Sequence, residues 1–137
     1  MRTFLAITAA AAALSGCTMS RDGPLSADAD ADGDVLFEEA LAGRAADSPV
    51  SCVRSRDVRN TRSAGGGRVL FDGPGNVVYV NQTSGSCPAI RPWHAIRHRT
   101  VGTNICSGEL IRVFDPQTGV EYGGCSLGAF VPWRRKG

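Results

Sequence analysis

The sequence predicts a mainly β fold with a minor helical part: a small, disulfide-stapled antiparallel sheet or partly closed barrel, preceded by a short N-terminal helix. Three observations carry this expectation. Apolar, β-branched runs recur in short lengths and return through Gly/Pro/Asn turns, as in Arg68 to Asn81 and Glu109 to Tyr122. Seventeen glycines and seven prolines in 137 residues punctuate the chain too often for long helices. Four cysteines, Cys52, Cys87, Cys106 and Cys125, are spaced like structural staples rather than a Cys-x-x-Cys metal or redox pair.

Taken in order, residues 1–16 read as a lipoprotein signal peptide and stand outside the fold. Arg2 gives the positive start and Phe4 to Leu14 the apolar stretch. Leu14-Ser15-Gly16-Cys17 matches a lipobox, whose small residues let an extended peptide enter a narrow protease cleft. Cleavage before Cys17 and lipidation of its thiol would tether the chain, each buried methylene contributing about 0.8 kcal/mol. Thr18, where an aspartate would favour the inner membrane, favours the outer one. The expected location is the cell envelope, lipid-anchored and facing the periplasm. There the remaining four cysteines read as two disulfides, with three pairings open.

Charge divides the mature chain. Residues 17–49 carry eight acids against Arg21 and Arg44, whereas residues 50–137 carry twelve Lys/Arg against five acids. The first segment is an acidic arm, polar and small up to Ala31, with a short helix expected over Val35 to Ala46 and a stop at Pro49. The second is a basic β domain. The arm is placed to fold back and neutralise it.

Within the domain, Val50 to Val53 is a first short strand. Arg68 to Asp72 and Val77 to Asn81 form a hairpin through Gly73-Pro74-Gly75-Asn76. Glu109 to Phe114 and Val120 to Tyr122 form another through Asp115-Pro116-Gln117-Thr118-Gly119. Pro at the second turn position and Gly at its end suit a type I turn closed by a left-handed residue. Pro88 to Thr103 reads as irregular, with one helical turn.

The sharpest chemical motif is Asp28-Ala29-Asp30-Ala31-Asp32-Gly33-Asp34-Val35-Leu36-Phe37-Glu38-Glu39. It fits a twelve-residue EF-hand loop: Asp28, Asp30, Asp32 and Asp34 supply early ligand positions, Gly33 the sharp turn, and Glu39 the closing bidentate carboxylate. A calcium ion needs that spacing because six to eight oxygens must converge from one loop. An entering helix is missing, since Gly23-Pro24 precedes the loop, and no second loop pairs with it. The competing reading is an acidic linker.

His94 and His98 lie four apart, a metal-sharing spacing on a helix, yet no third ligand follows. Arg54, Arg56, Arg59 and Arg62, Arg97 and Arg99, and Arg134-Arg135-Lys136 are basic clusters suited to phosphate-rich glycolipid headgroups, other anionic polymers or an acidic partner protein. Nucleic acid is not expected in that compartment. No nucleophile elbow, phosphate loop or dinucleotide fingerprint is present, and the thiols are committed to bridges. Asp57, Asp72, Glu109, Asp115 and Glu121 are the carboxylates that an enzyme could bring together.

Cys52, Asp57-Val58-Arg59-Asn60-Thr61, Val69-Leu70-Phe71, Tyr79, Asn81, Cys87-Pro88, Cys106 with Glu109 to Val113, and Cys125 to Pro132 together resemble the bacterial domain-of-unknown-function 6491 family of small exported proteins. The resemblance implies a periplasmic, disulfide-bonded domain and supplies no catalytic residues. The function expected is that of a non-enzymatic envelope lipoprotein, a binding or structural module without a resident cofactor. The alternatives are a calcium-binding module through residues 28–39 and a small enzyme whose site the motifs do not reveal.

Overall fold

The computed structural model describes residues 24–85, 87–99 and 101–137; the expected signal peptide and Cys17 lie outside them. The fold is mainly β, with antiparallel sheets and one helix. Helix α1 spans Pro24–Leu41. Ten strands follow: β1 Arg44–Ala46, β2 Cys52–Arg54, β3 Asn60–Ser63, β4 Arg68–Asp72, β5 Val78–Gln82, β6 Ala95–His98, β7 Asn104–Cys106, β8 Leu110–Phe114, β9 Glu121–Ser126 and β10 Phe130–Arg135. A five-stranded sheet runs β1-β10-β5-β4-β3, a three-stranded sheet β6-β8-β9, and β2 pairs with β7. The sheets stay open, so the barrel alternative does not form.

The two expected hairpins are present as β4–β5 and β8–β9. In the second, Gly119 takes the left-handed conformation at φ +74° and donates its N–H to the Asp115 carbonyl at 2.8 Å. Asp115 accepts the Gln117 N–H at 2.7 Å in the same turn. The backbone N–H of Gln117, above all, holds the Asp115 carboxyl below its ordinary value. The segment after Pro88 departs from expectation, because residues 95–98 pair with β8 as a strand. Val113 and Ile111 of β8 lie opposite Ile96 and His98 and supply the pairing that a four-residue stretch with a single β-branched residue does not signal on its own.

Strand alternation builds two cores on opposite faces of the large sheet. Val69 and Phe71 of β4 point to one face and join Phe130, Ile111, Val113, Ile105, Ile90 and Leu127 between the sheets. The Phe71 and Phe130 rings meet edge-to-face at 5.3 Å. Leu70 and Val78 point to the other face, where Leu36, Phe37, Ala40 and Leu41 of α1 cover them with Trp133. Buried Asn81 is fully used: its amide donates to the Gly128 carbonyl at 2.8 Å and its oxygen accepts the Gly128 N–H at 2.9 Å.

The two disulfides link Cys52 to Cys106 and Cys87 to Cys125. The first joins directly opposed residues of β2 and β7, and the second ties the turn after β5 to β9. Cys87 is buried in the inter-sheet core with Cys125 packed against it, whereas Cys52 is exposed on the side of the β2–β7 pair opposite to buried Val53 and Ile105.

The helix differs most from expectation. It begins at Pro24 and ends at Leu41, where Gly43 at φ +69° breaks the backbone. Residues 44–46, expected as its last turn, form β1 against β10 instead. An edge strand gains ladder hydrogen bonds there that a frayed helix end would lack. The acidic arm does fold onto the basic domain: Asp34 pairs with Arg68 at 2.5 Å and Asp47 with Arg134 at 2.7 Å. The Arg68 guanidinium also lies 4.6 Å from the Phe37 ring centroid.

Candidate functional site

The arm's calcium-type residues do not form a loop. Asp28, Asp30, Asp32, Asp34 and Glu39 all lie on α1, where the i, i+2, i+4 positions turn through about 100° per residue and cannot converge on one ion. Asp30 and Asp32 are exposed, and Asp34 is occupied by Arg68. Gly33 has a different use from the hinge its spacing suggested. It is buried, and a β-carbon there would strike the Ala64 carbonyl, so glycine lets α1 pass against the backbone at residues 64–65.

The histidine pair separates as well. His94 is buried, stacked on Tyr122 with centroids 4.4 Å apart, and its Nδ1 lies 2.6 Å from the Ala89 carbonyl. His98 belongs to β6, so the helical spacing that would join them is absent. The candidate carboxylates are dispersed too. Asp57 sits near Arg56, Asp72 holds Arg62, Glu121 serves Arg97 and Arg112, and Asp115 shapes its turn. Among the described residues no three His, Cys, Asp or Glu side chains gather as metal ligands.

The basic clusters, by contrast, regroup. Beyond the C-terminal end of α1, the helix-facing side of the large sheet is uncovered and forms a cavity of about 570 Å³. Its walls come from Glu39, Ala40 and Ala42 at the helix end, Arg44 and Arg135 on β1 and β10, Arg59, Asn60 and Arg62 around β3, and Asp72, Gly73, Asn76, Val77 and Val78 around the β4–β5 turn. Residues paired directly across an antiparallel ladder share a face. That rule places Arg44 beside Arg135, and Asn60 and Val78 on either side of Asp72, all on one surface.

Four guanidiniums thus surround one concavity. Arg62 is compensated: its Nη2 donates to Asp72 Oδ1 at 2.6 Å, and Asn60 donates to the other carboxylate oxygen at 3.4 Å. Arg44, Arg59 and Arg135 have no carboxylate within ion-pair distance among the described residues. Arg44 and Arg135 are moreover directly opposed like charges, an arrangement that ordinarily costs a ladder stability. The Nε atoms of Arg44 and Arg62 are buried without an acceptor, each costing about 1–3 kcal/mol. The partial negative charge at the end of α1 and the Glu39 carboxylate relieve only part of this. Elsewhere Arg97 and Arg112 share Glu121 at 3.7 and 3.5 Å and Arg134 has Asp47, while Arg54, Arg91 and Arg99 have no carboxylate within ion-pair distance among the described residues.

Three of the predicted basic residues, Arg59, Arg62 and Arg135, enter the cavity. Arg54 and Arg56 line a separate recess with Thr103 and Asn104, and Arg97 and Arg99 line a third with Arg112 and Glu121. Arg134 and Arg135 diverge, as consecutive strand residues must. Arg44 carries no motif, Asp72 is one of the candidate carboxylates, and Asn60 and Asn76 belong to the resemblance and to the hairpin turn, not to the expected site residues. The one sequence signal for Arg44 was its place as a lone base at the end of an acidic arm.

No family model matches the chain, and neither a curated protein nor a solved structure matches it. The resemblance over Cys52 to Pro132 therefore stands on the residues that carry it.

Proposed function

We propose that this protein is a non-enzymatic cell-envelope lipoprotein whose β domain binds an anionic envelope component in the arginine-lined cavity. The observation that supports this reading is the convergence of Arg44, Arg59 and Arg135, none of them ion-paired to a carboxylate among the described residues. Arg54, Arg91 and Arg99 also lack an ion pair among the described residues, but Arg44, Arg59 and Arg135 share one concavity. Guanidinium forks suit oxyanions because they offer two parallel donors and stay charged at all relevant pH. The cavity volume lies within the range of ligand-binding clefts. An arm docked through α1 and carrying a lipid on Cys17 would tether the domain to the membrane.

The test is thermal unfolding of the full chain in mild detergent with multivalent oxyanions, against chloride at equal ionic strength. Binding raises the midpoint by linkage, and Arg59→Glu with Arg135→Glu removes the rise. A midpoint that follows ionic strength alone, whatever the anion, defeats the reading. Anchorage has its own test: Cys17→Ser releases the chain from membranes, and unchanged retention defeats the lipoprotein assignment.

A further inference from the structure

We infer that the anion held in this cavity is a phosphate ester carried on a hydroxyl-rich body, a phosphorylated sugar. The inference rests on the anion-binding reading above and narrows it to one ligand class.

Charge points first to phosphate. The four cavity guanidiniums face two carboxylates, Glu39 and Asp72, and so leave two positive charges over. A phosphate monoester carries about −1.5 to −2 at neutral pH, whereas a single carboxylate leaves one guanidinium unmatched. Direction points the same way. Arg44 and Arg135 reach in from one edge of the sheet, and Arg59 comes from the chain leading into β3 at its opposite edge. A planar carboxylate accepts a fork within its plane. A tetrahedral phosphate presents three oxygens in three directions, so separate guanidiniums can each take one.

The rest of the wall describes the body of the ligand. A bare phosphate would fill only a small part of a cavity of about 570 Å³. Away from the guanidiniums and Asp72 the lining is Asn60, Asn76, Gly73 and the Glu39 carboxylate, with apolar patches from Ala40, Ala42, Val77 and Val78. Side-chain amides both donate and accept, and carboxylates accept, which is the complement of a ring of hydroxyls. None of the lining residues is aromatic, so the cavity offers no platform for a stacked nucleobase. Sugar fits where nucleotide does not.

The same chemistry is offered by a phosphorylated glycolipid headgroup and by a free sugar phosphate. Calorimetry of the full chain in mild detergent tests the class, with glucose 1-phosphate, glucuronate, inorganic phosphate and glucose as probes. Glucose 1-phosphate binds at least about tenfold more tightly than glucuronate or inorganic phosphate, and glucose gives no saturable heat. Arg59→Ala and Arg135→Ala each weaken it by about tenfold or more. Asn60→Ala weakens glucose 1-phosphate while leaving inorganic phosphate unchanged, which a loss of folding would not do. Arg134→Ala, whose side chain pairs with Asp47 outside the cavity, leaves all four unchanged.

Glucuronate binding as tightly as glucose 1-phosphate overturns the phosphate assignment and leaves the anion-binding reading standing. Inorganic phosphate binding as tightly overturns the sugar. No heat from any anion overturns both. Vesicles bearing a phosphorylated glycolipid, compared with the same glycolipid lacking phosphate, identify the source. Extra retention that glucose 1-phosphate displaces assigns the lipid headgroup. Equal retention, together with binding of the free ester, assigns a soluble sugar phosphate.

Discussion

The two faces of the large sheet are held in different ways. The inter-sheet face packs Phe71, Phe130, Ile111 and Val113 and holds the Cys87–Cys125 disulfide, and the sheet beyond it shares Glu121 between Arg97 and Arg112. The helix-covered face has no covalent tie. It is closed by Leu36, Phe37 and Leu41 and by the Asp34–Arg68 pair, and beside the helix end it leaves three arginines unmatched. One face is built to be stable and the other to remain electrostatically incomplete. Uncompensated like charge costs folding free energy, a cost that the anion proposed above would relieve.

The largest test of this contrast removes the tie from the stapled face. Replacing Cys87 and Cys125 together by serine is expected to lower stability by about 2–4 kcal/mol in chemical denaturation. Undiminished stability would mean the inter-sheet core needs no staple. On the other face, Gly33→Ala should destabilise by about 1–3 kcal/mol, because the added methyl overlaps the Ala64 backbone. The sign is the informative part, since the same change inside an unobstructed helix stabilises by about 1 kcal/mol. A raised unfolding midpoint would show that α1 does not pass this close.

Smaller effects separate the two sets of arginines. Without ligand, Arg135→Gln relieves the cross-strand repulsion with Arg44 and should stabilise by about 0.2–1 kcal/mol. Arg97→Gln, which removes a partner of exposed Glu121, should cost no more than about 0.5 kcal/mol. Equal thermal shifts in the two variants would erase the distinction between an open and a satisfied cluster.

The smallest effect lies in the β8–β9 turn. The ionised Asp115 carboxylate accepts the Gln117 and Thr118 N–H groups, so its folded pKa is depressed. Its contribution is therefore present above the ordinary carboxylate pKa and fades as pH falls through the depressed value. Asp115→Ala should lower the denaturation midpoint slightly at neutral pH and not at all in strong acid. A loss independent of pH would assign the effect to the turn's packing rather than to its charge.

Much of the fold was readable because its signals are local. The β4–β5 and β8–β9 hairpins are set by alternating apolar residues and by turn residues that only Gly, Pro, Asn and Asp fill well. Strand β6 was hidden because Ala95 to His98 is basic and gains its pairing from β8, which lies far along the chain. The calcium motif misled for a related reason. Spacing of acids is compatible with a loop or a helix, and α1 is decided by burying Leu36, Phe37, Ala40 and Leu41 against a sheet made later in the sequence.

By itself the sequence determined the antiparallel class, the two hairpins, the commitment of four cysteines to bridges and the opposition of an acidic arm to a basic domain. Each depends on residue type and near-neighbour spacing alone. The tertiary structure alone decided which cysteines pair, where the helix begins, and that Arg44, Arg59, Arg62 and Arg135 meet in one cavity. Those arginines carry no shared motif. They become neighbours through the strand order β1-β10-β5-β4-β3, which brings the first and last strands of the chain together at one end of a sheet.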